Sequence, residues 1–334
     1  MRSYFRPIVQ TDPARPEGAI TLAGGWTWFD RAERITRGGS DFIAARDIPQ
    51  DVLVRLTAPR APIAGLTFDA PRLMGILNVT PDSFSDGGKF IAPEAALAQA
   101  QTMAEAADLI DVGGESTRPG ALPVAAEDEI ARTAPVIAAM RSRIDVPISI
   151  DTRKTAVAQA AIGAGASLVN DVSGFTYDTA LAPYCAEAGL PVCVMHAQGD
   201  PQTMQDAPHY EDVLLDVYDF LETRVEALEA LGIPRARIIV DPGIGFGKTQ
   251  AHNLALLARL GLFHSLGCTI LLGASRKKFI GTIGGTPDAP SRMPGSVAVA
   301  LAGIAQGVQI IRAHDVPETR AAMRLWSAAT TGAA

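Results

Sequence analysis

Polar side chains recur in this chain wherever a short apolar run stops. Asn78, Asp151, Asn170 with Asp171, Met195 with His196, Asp241, and Arg312 with His314 each stand at or beside the end of a run rich in Ile, Val and Leu. Two more such ends carry Gly113-Gly-Glu-Ser-Thr-Arg-Pro-Gly120 and Ser275-Arg-Lys277. One polar residue in that position says little, whereas a ring of them drawn from separate runs describes a site. Asp151 and Asp241 close their runs directly. A carboxylate there accepts two parallel N–H bonds from a guanidine-like edge, such as that of a pterin or guanine ring. Asp171 reads instead as a cap on the helix after it or a partner of a neighbouring Lys or Arg. Arg312 and His314 are two residues apart and share a face of an extended strand. With Asn78 for a hydrated metal they suit a diphosphate, the alternative being an ion pair of Arg312 or His314 with Asp315 or Glu318.

The segment Asp241-Pro-Gly-Ile-Gly-Phe-Gly-Lys248-Thr249 is Gly-rich but is no nucleotide cradle. Pro242 occupies the first Gly of a P-loop, and Lys248 the third Gly of a dinucleotide fingerprint. Two readings remain: a tight turn that exposes Phe246, or an aromatic wall for a substrate. No nucleophile elbow and no His-x-x-x-His spacing occurs, which points away from covalent catalysis and a structural transition metal. His209, His252 and His264 read as surface or capping residues.

The elements that must hold these groups follow a repeat. Apolar runs at 73–79, 108–112, 147–151, 167–171, 191–196, 237–241, 269–273 and 308–314 show little polar alternation, as strands buried on both faces do. Helical spacing fills 93–107, 126–143, 155–164, 178–188, 209–231, 252–265, 294–306 and 317–329. The class is α/β. Eight such units over 72–334 predict a (β/α)8 TIM barrel with its site at the C-terminal ends of the strands. An open doubly wound sheet would leave edge strands, and no run is charged or Pro-blunted like an edge. Residues 1–71 differ, with nine Arg, no Lys and two of the three Trp (Trp26 and Trp28). Short apolar runs at 20–23 and 52–56 suggest a small strand-rich element docked on the barrel through its aromatics.

The 334 residues are 48% hydrophobic and carry a net charge of −7, which offers no counterion-release handle for nucleic acid. No apolar run nears the ~20 residues of a membrane span, and no signal-peptide pattern opens the chain. Cys185, Cys193 and Cys268 are too scattered for a disulfide framework. A cytoplasmic protein without membrane or nucleic-acid partners is expected.

Seven motifs occur in one order: Leu77-Asn-Val-Thr-Pro-Asp-Ser-Phe-Ser-Asp-Gly-Gly88, the Gly113 and Ser275 stretches above, Asn170-Asp-Val-Ser-Gly174, Met195-His-Ala-Gln-Gly199, the Asp241 segment, and Arg312-Ala-His-Asp315. Together, over about 72–320, they resemble the dihydropteroate synthase family. The resemblance implies condensation of 6-hydroxymethyl-7,8-dihydropterin diphosphate with p-aminobenzoate, with Mg2+ required, in a homodimer inhibited by sulfonamides. It implies that Asp151, Asn170, Met195, Asp241 and Lys277 line a pterin pocket. Asn78, Arg312 and His314 would hold the Mg-diphosphate, and Thr117, Arg118 and Pro119 would lie on a second loop. Phe246 and Lys277 would border p-aminobenzoate, and Asp151, Lys277, Arg312 and His314 are the catalytic candidates. Family members often carry Ser where this chain has Lys278, which either pairs with the p-aminobenzoate carboxylate or turns to solvent. A corrinoid-linked methyltetrahydrofolate barrel and a non-catalytic pterin binder are the rivals. The first would not need Arg312 and His314 together.

Overall fold

A computed structural model describes residues 2–80, 92–116, 121–199 and 203–332. At the start of the chain, β1 (Tyr4–Pro7), β4 (Arg31–Thr36) and β5 (Gly39–Ala44) form an antiparallel sheet in the order β1-β4-β5. Beside it β2 (Ile20–Thr21) pairs with β3 (Trp28–Phe29). Glu33 is buried in this sheet because Arg6 Nε (2.7 Å) and Ser40 Oγ (2.9 Å) both donate to its carboxylate. Residues 52–56, read above as a strand, belong instead to helix α1 (Gln50–Thr57). Val52 and Leu56 are one helical turn apart and pack together with Phe5, Leu22, Phe29 and Ile48.

The extension leans on the barrel through specific polar and aromatic contacts. Tyr4 Oη donates to Asp219, its oxygens 2.8 and 2.9 Å away, and the ring meets Tyr218 edge to face at 5.3 Å. Trp26 Nε1 donates to the Ile304 carbonyl at 3.0 Å. Trp28 does not share that role: its Nε1 donates within the extension, to the Asp12 carbonyl at 2.7 Å. Tyr4→Ala, which empties a buried aromatic position and leaves Asp219 to Arg2 and Arg37 alone, is expected to cost about 3 kcal/mol. A shift of the urea midpoint at unchanged slope is the measurement; an unchanged midpoint would show that β1 contributes nothing to barrel stability.

Downstream, eight parallel strands close on themselves: β6 (Arg72–Asn78), β7 (Leu109–Gly113), β8 (Ile148–Asp151), β9 (Leu168–Asp171), β10 (Val192–Met195), β11 (Ile238–Asp241), β12 (Thr269–Leu272) and β13 (Ile310–Ala313). The eight apolar runs are these strands to within two residues at either end. Around them lie α2 (Ala92–Ala104), α3 (Ala126–Arg141), α4 (Thr155–Ala164), α5 (Leu181–Glu187), α6 (Val213–Ala230), α7 (Gln250–Leu257), α8 (Lys278–Gly284), α9 (Met293–Ala305) and α10 (Val316–Thr331). At the N-terminal end of the barrel, Ile63 and Phe68 join Met74, Leu109, Leu168, Cys193, Ile239, Leu271 and Ile310 in one apolar floor.

Two departures from the sequence reading stand out. α8 was not anticipated, since Gly281 and Gly284 dilute its pattern. The stretch 252–265 is not one helix: α7 ends at Leu257 and a 3₁₀ segment, Leu260–Leu266, follows. Within that segment His264 is fully buried, its Nε2 2.9 Å from the Gln306 carbonyl, so it is no surface residue. His252 does cap, forming a reciprocal box with Thr249 at the start of α7. Among the described residues no helix is long and apolar enough to cross a membrane.

Candidate active site

Strand register sets the site. Asn78 is level with Gly113, Gly113 with Asp151, and Asp151 with Asn170, so one rim of the barrel carries them side by side. Met195 is level with Asp241 on the next pair. A parallel barrel with even stagger forces the last residues of adjacent strands together, which is why chemistry collects at this end.

Inside the rim Arg312 does not pair with its neighbours Asp315 or Glu318. Its Nε donates to Asp111 Oδ2 at 2.7 Å and its Nη2 to Asp151 Oδ2 at 2.8 Å. Asp315 is engaged elsewhere, accepting from Arg276 Nε at 3.0 Å. Burial opposes the Arg312 charge, but the two carboxylates beside it raise its pKa overall. One guanidinium for two buried carboxylates leaves an excess negative charge. Burial pushes Asp151 up to about 8, against the pull of Arg312 and with the push of Asp111. Asp111 is the functional residue that motif reading passed over. It is fully buried, accepts from Asn170 Nδ2 at 3.0 Å as well as from Arg312, and its Oδ1 has no partner in the structure. Its signal was a carboxylate set inside the apolar run Leu-Ile-Asp-Val of β7.

Asp241 lies across the mouth. Burial raises it to about 6, against the Gly243 N–H that donates to Oδ1 at 2.8 Å and against Lys277, Arg312 and Lys248 nearby. Asp171, one residue past Asn170, serves its own loop: Ser173 N and Phe175 N donate to it at 2.7 and 2.8 Å. Phe246 and Lys277 meet, the ammonium 4.0 Å from the ring centroid, a cation–π distance. Lys277 is the N-cap of α8, while Lys278 is exposed to solvent. His314 follows β13, with its Nδ1 3.1 Å from Ser275 Oγ. Met195 is buried on the rim and Asn78 half-buried. Thr117, Arg118 and Pro119 lie outside the described residues, as does most of the loop after Asn78. The ends of the 115–124 segment are tied by Glu115, which accepts from Val124 N at 2.9 Å and pairs with Arg153 and Lys154, each at 3.0 Å.

The three thiols are buried and free, as small apolar residues would be. A magnesium ion fits the donor set at the rim. Asn78 offers a hard carboxamide oxygen, and no cage of His, Cys, Asp and Glu forms among the described residues.

A family model described as "Pterin binding enzyme" matches residues 74–314. Dihydropteroate synthase of Escherichia coli (strain K12) is 47% identical over 262 residues, 78% of this chain and 92% of that one. The Synechocystis enzyme of the same name is 44% identical over 77% of this chain and 91% of its own. Among solved structures, Xanthomonas albilineans dihydropteroate synthase with 4-aminobenzoic acid superimposes with a TM-score of 0.75 at 45% identity, covering 80% of this chain and 96% of that one. The Yersinia pestis enzyme in a sulfonamide drug complex gives 0.76 at 45% identity, over 80% and 98%. The chain belongs to the pterin binding enzyme family, among its dihydropteroate synthases.

Proposed function

We propose that this barrel joins 6-hydroxymethyl-7,8-dihydropterin diphosphate to p-aminobenzoate, releasing 7,8-dihydropteroate and diphosphate. The observation that carries the reading is the pair of buried rim carboxylates, Asp151 and Asp241, in a mouth that also holds Arg312, Asn170 and Lys277. Asp241 accepts the paired N–H groups of the pterin edge. Asn170, its amide oriented by Asp111, and Met195 complete that pocket. Asp151 and Asp111 face the ring with carboxyl oxygens, whose dipoles favour the electron-poor pterin that forms as its methylene C–O bond breaks.

The arylamine is nucleophilic without help, so no protein nucleophile is needed. Its nitrogen takes the methylene carbon, diphosphate leaves with the bonding electron pair, and one amine proton is lost to solvent. Arg312 and His314 are at the diphosphate end, together with Asn78, which would hold Mg2+. When bound, that ion supplies charge neutralisation on the leaving oxygens. Phe246 and Lys277 border p-aminobenzoate, Lys277 offering a cation to its carboxylate. Thr117, Arg118 and Pro119 would close the same side. A homodimer in the cytoplasm completes the reading.

Diphosphate release from pterin diphosphate and Mg2+ tests it. Release that requires p-aminobenzoate and is blocked by a sulfonamide is expected. Pterin binding without release would reduce the protein to a binding module.

A further inference from the structure

Lys248 is buried with no carboxylate in contact. Its ammonium has three N–H donors and no acceptor, and four acceptors surround it. These are His196 Nδ1 at 2.8 Å, the Gly243 carbonyl at 2.9 Å, the Phe246 carbonyl at 3.0 Å and, at 3.4 Å, the His196 carbonyl. Burial lowers Lys248 to about 7; in its protonated form it only donates, so His196 Nδ1 accepts and the ring proton sits on Nε2. That ring is held from the other side by Phe220, edge to face at 4.8 Å.

The bonds of Lys248 bridge the loop after β10 to the loop after β11. The two are interlocked sterically as well. Gly243 and Gly247 have φ of 68° and 61°, and a Cβ on either would collide with the His196 or Gln198 carbonyl oxygen. Tyr210 Oη donates to the Gly247 carbonyl at 2.7 Å, and Gly245 N donates to Asn253 Oδ1 at 2.7 Å. What this assembly presents to the mouth is the Gly245 backbone and the Phe246 ring. The Lys277 side chain lies along both: its Cδ is 3.0 Å from where a Cβ on Gly245 would stand, and its Nζ is 4.0 Å from the ring centroid.

A buried cation held by carbonyl dipoles costs desolvation that an apolar residue of the same volume would avoid. Packing alone would be better served by Met. We propose that Lys248 is a positioning residue for the second substrate, gathering Gly243, Phe246 and His196 so that the Phe246 ring and Lys277 are held at one spacing on the p-aminobenzoate side. The pterin contacts depend on it less: Asp151 and Asn170 are set by strand ends alone, and Asp241, which also accepts from Gly243 N, ends β11 itself.

This inference rests on the reading of Phe246 and Lys277 as the p-aminobenzoate border, and the experiment separates the two. Steady-state diphosphate release and pterin diphosphate titration are measured for the wild-type enzyme, Lys248→Met, Phe246→Leu and the double variant. Lys248→Met is expected to raise KM for p-aminobenzoate by about tenfold or more, the scale of losing hydrogen bonds to a charged donor. Its pterin diphosphate Kd should stay within about threefold of wild type, and the double variant should lose little beyond the worse single, because both act through one ring. Equal weakening of both substrates, an unchanged KM in a folded Lys248→Met protein, or additive losses would each overturn the proposal. Hydrogen exchange at the Phe246 and Gly247 amides reads the same question without turnover, so it holds even if wild type releases no diphosphate. Faster exchange in Lys248→Met supports the proposal and an unchanged rate defeats it. If the Met variant does not fold, Lys248→Gln, with two donors, is expected to give a smaller effect of the same kind, and wild-type behaviour in it would also overturn the assignment.

Discussion

Asp241→Asn is expected to lower kcat/KM for the pterin diphosphate by about a thousandfold while raising the melting temperature of the ligand-free protein. The loss follows from the chemistry of the edge it binds. A carboxylate accepts two N–H groups, whereas the carboxamide accepts one and turns an N–H against the other, leaving an unpaired polar group in a closed pocket. The gain follows from burial, which lifts Asp241 to about 6 from an ordinary 3.8. With its folded pKa raised, an acid contributes stability at low pH and loses it as pH rises through the window between those values. Above about pH 6 the free enzyme therefore carries a buried charge whose penalty is at most about 3 kcal/mol. Asn keeps the Gly243 hydrogen bond and removes that penalty, so the melting temperature should rise by a few degrees at pH 7 and hardly at all near pH 4. In the wild type, kcat/KM for the pterin should fall below about pH 6 as the carboxylate protonates. Thermal melts across pH 4–8, beside kinetics, decide it. Normal kcat/KM in the variant would remove Asp241 from the pterin site.

Arg312→Gln should be the most damaging single change on the rim. The guanidinium stands 2.7 Å from Asp111 and 2.8 Å from Asp151, both inside the barrel. Taking away the cation leaves two carboxylates facing each other without a counterion, a change that costs about 3–5 kcal/mol for buried pairs. Activity is expected below about 1% of wild type, since the diphosphate end loses its charge and the carboxylates lose their set positions. The stability deficit has a direction in pH. Asp151 is already raised to about 8 with Arg312 present, and removing that arginine raises it further. A raised acid is stabilising while protonated, so the deficit should be smallest near pH 5 and grow through pH 9. Urea unfolding at three pH values measures it. A deficit that does not change with pH would mean that Arg312 is held by packing and not by its charge.

The two rim carboxylates thus differ in kind although they look alike in sequence. Asp151 and Asp241 both end an Ile- and Val-rich strand, and both were legible as ligands of a guanidine-like edge. Only the closed barrel shows that Asp151 is already bound by an arginine 161 residues away and that Asp241 is not. Asp111 was missed for a related reason. Strands buried on both faces carry no alternation, so nothing local tells which residue of Leu-Ile-Asp-Val points inward. Lys248 was noticed only as a departure from a phosphate motif. Its acceptors come from two loops that chain order separates by about 50 residues.

The sequence by itself determined the repeat, the eight strands and the ring of polar residues at their ends, because burial on both faces demands apolar runs and the runs must stop where function begins. It also showed the seven motifs that belong to one family. Tertiary structure decided the partners: Arg312 with Asp111, Trp26 but not Trp28 at the barrel, His264 in the interior, α8 behind Lys277. Ion pairs and buried hydrogen bonds depend on distances of about 3 Å between segments far apart in the chain. Those distances exist only once β13 has closed against β6 and brought the two ends of the barrel sheet together.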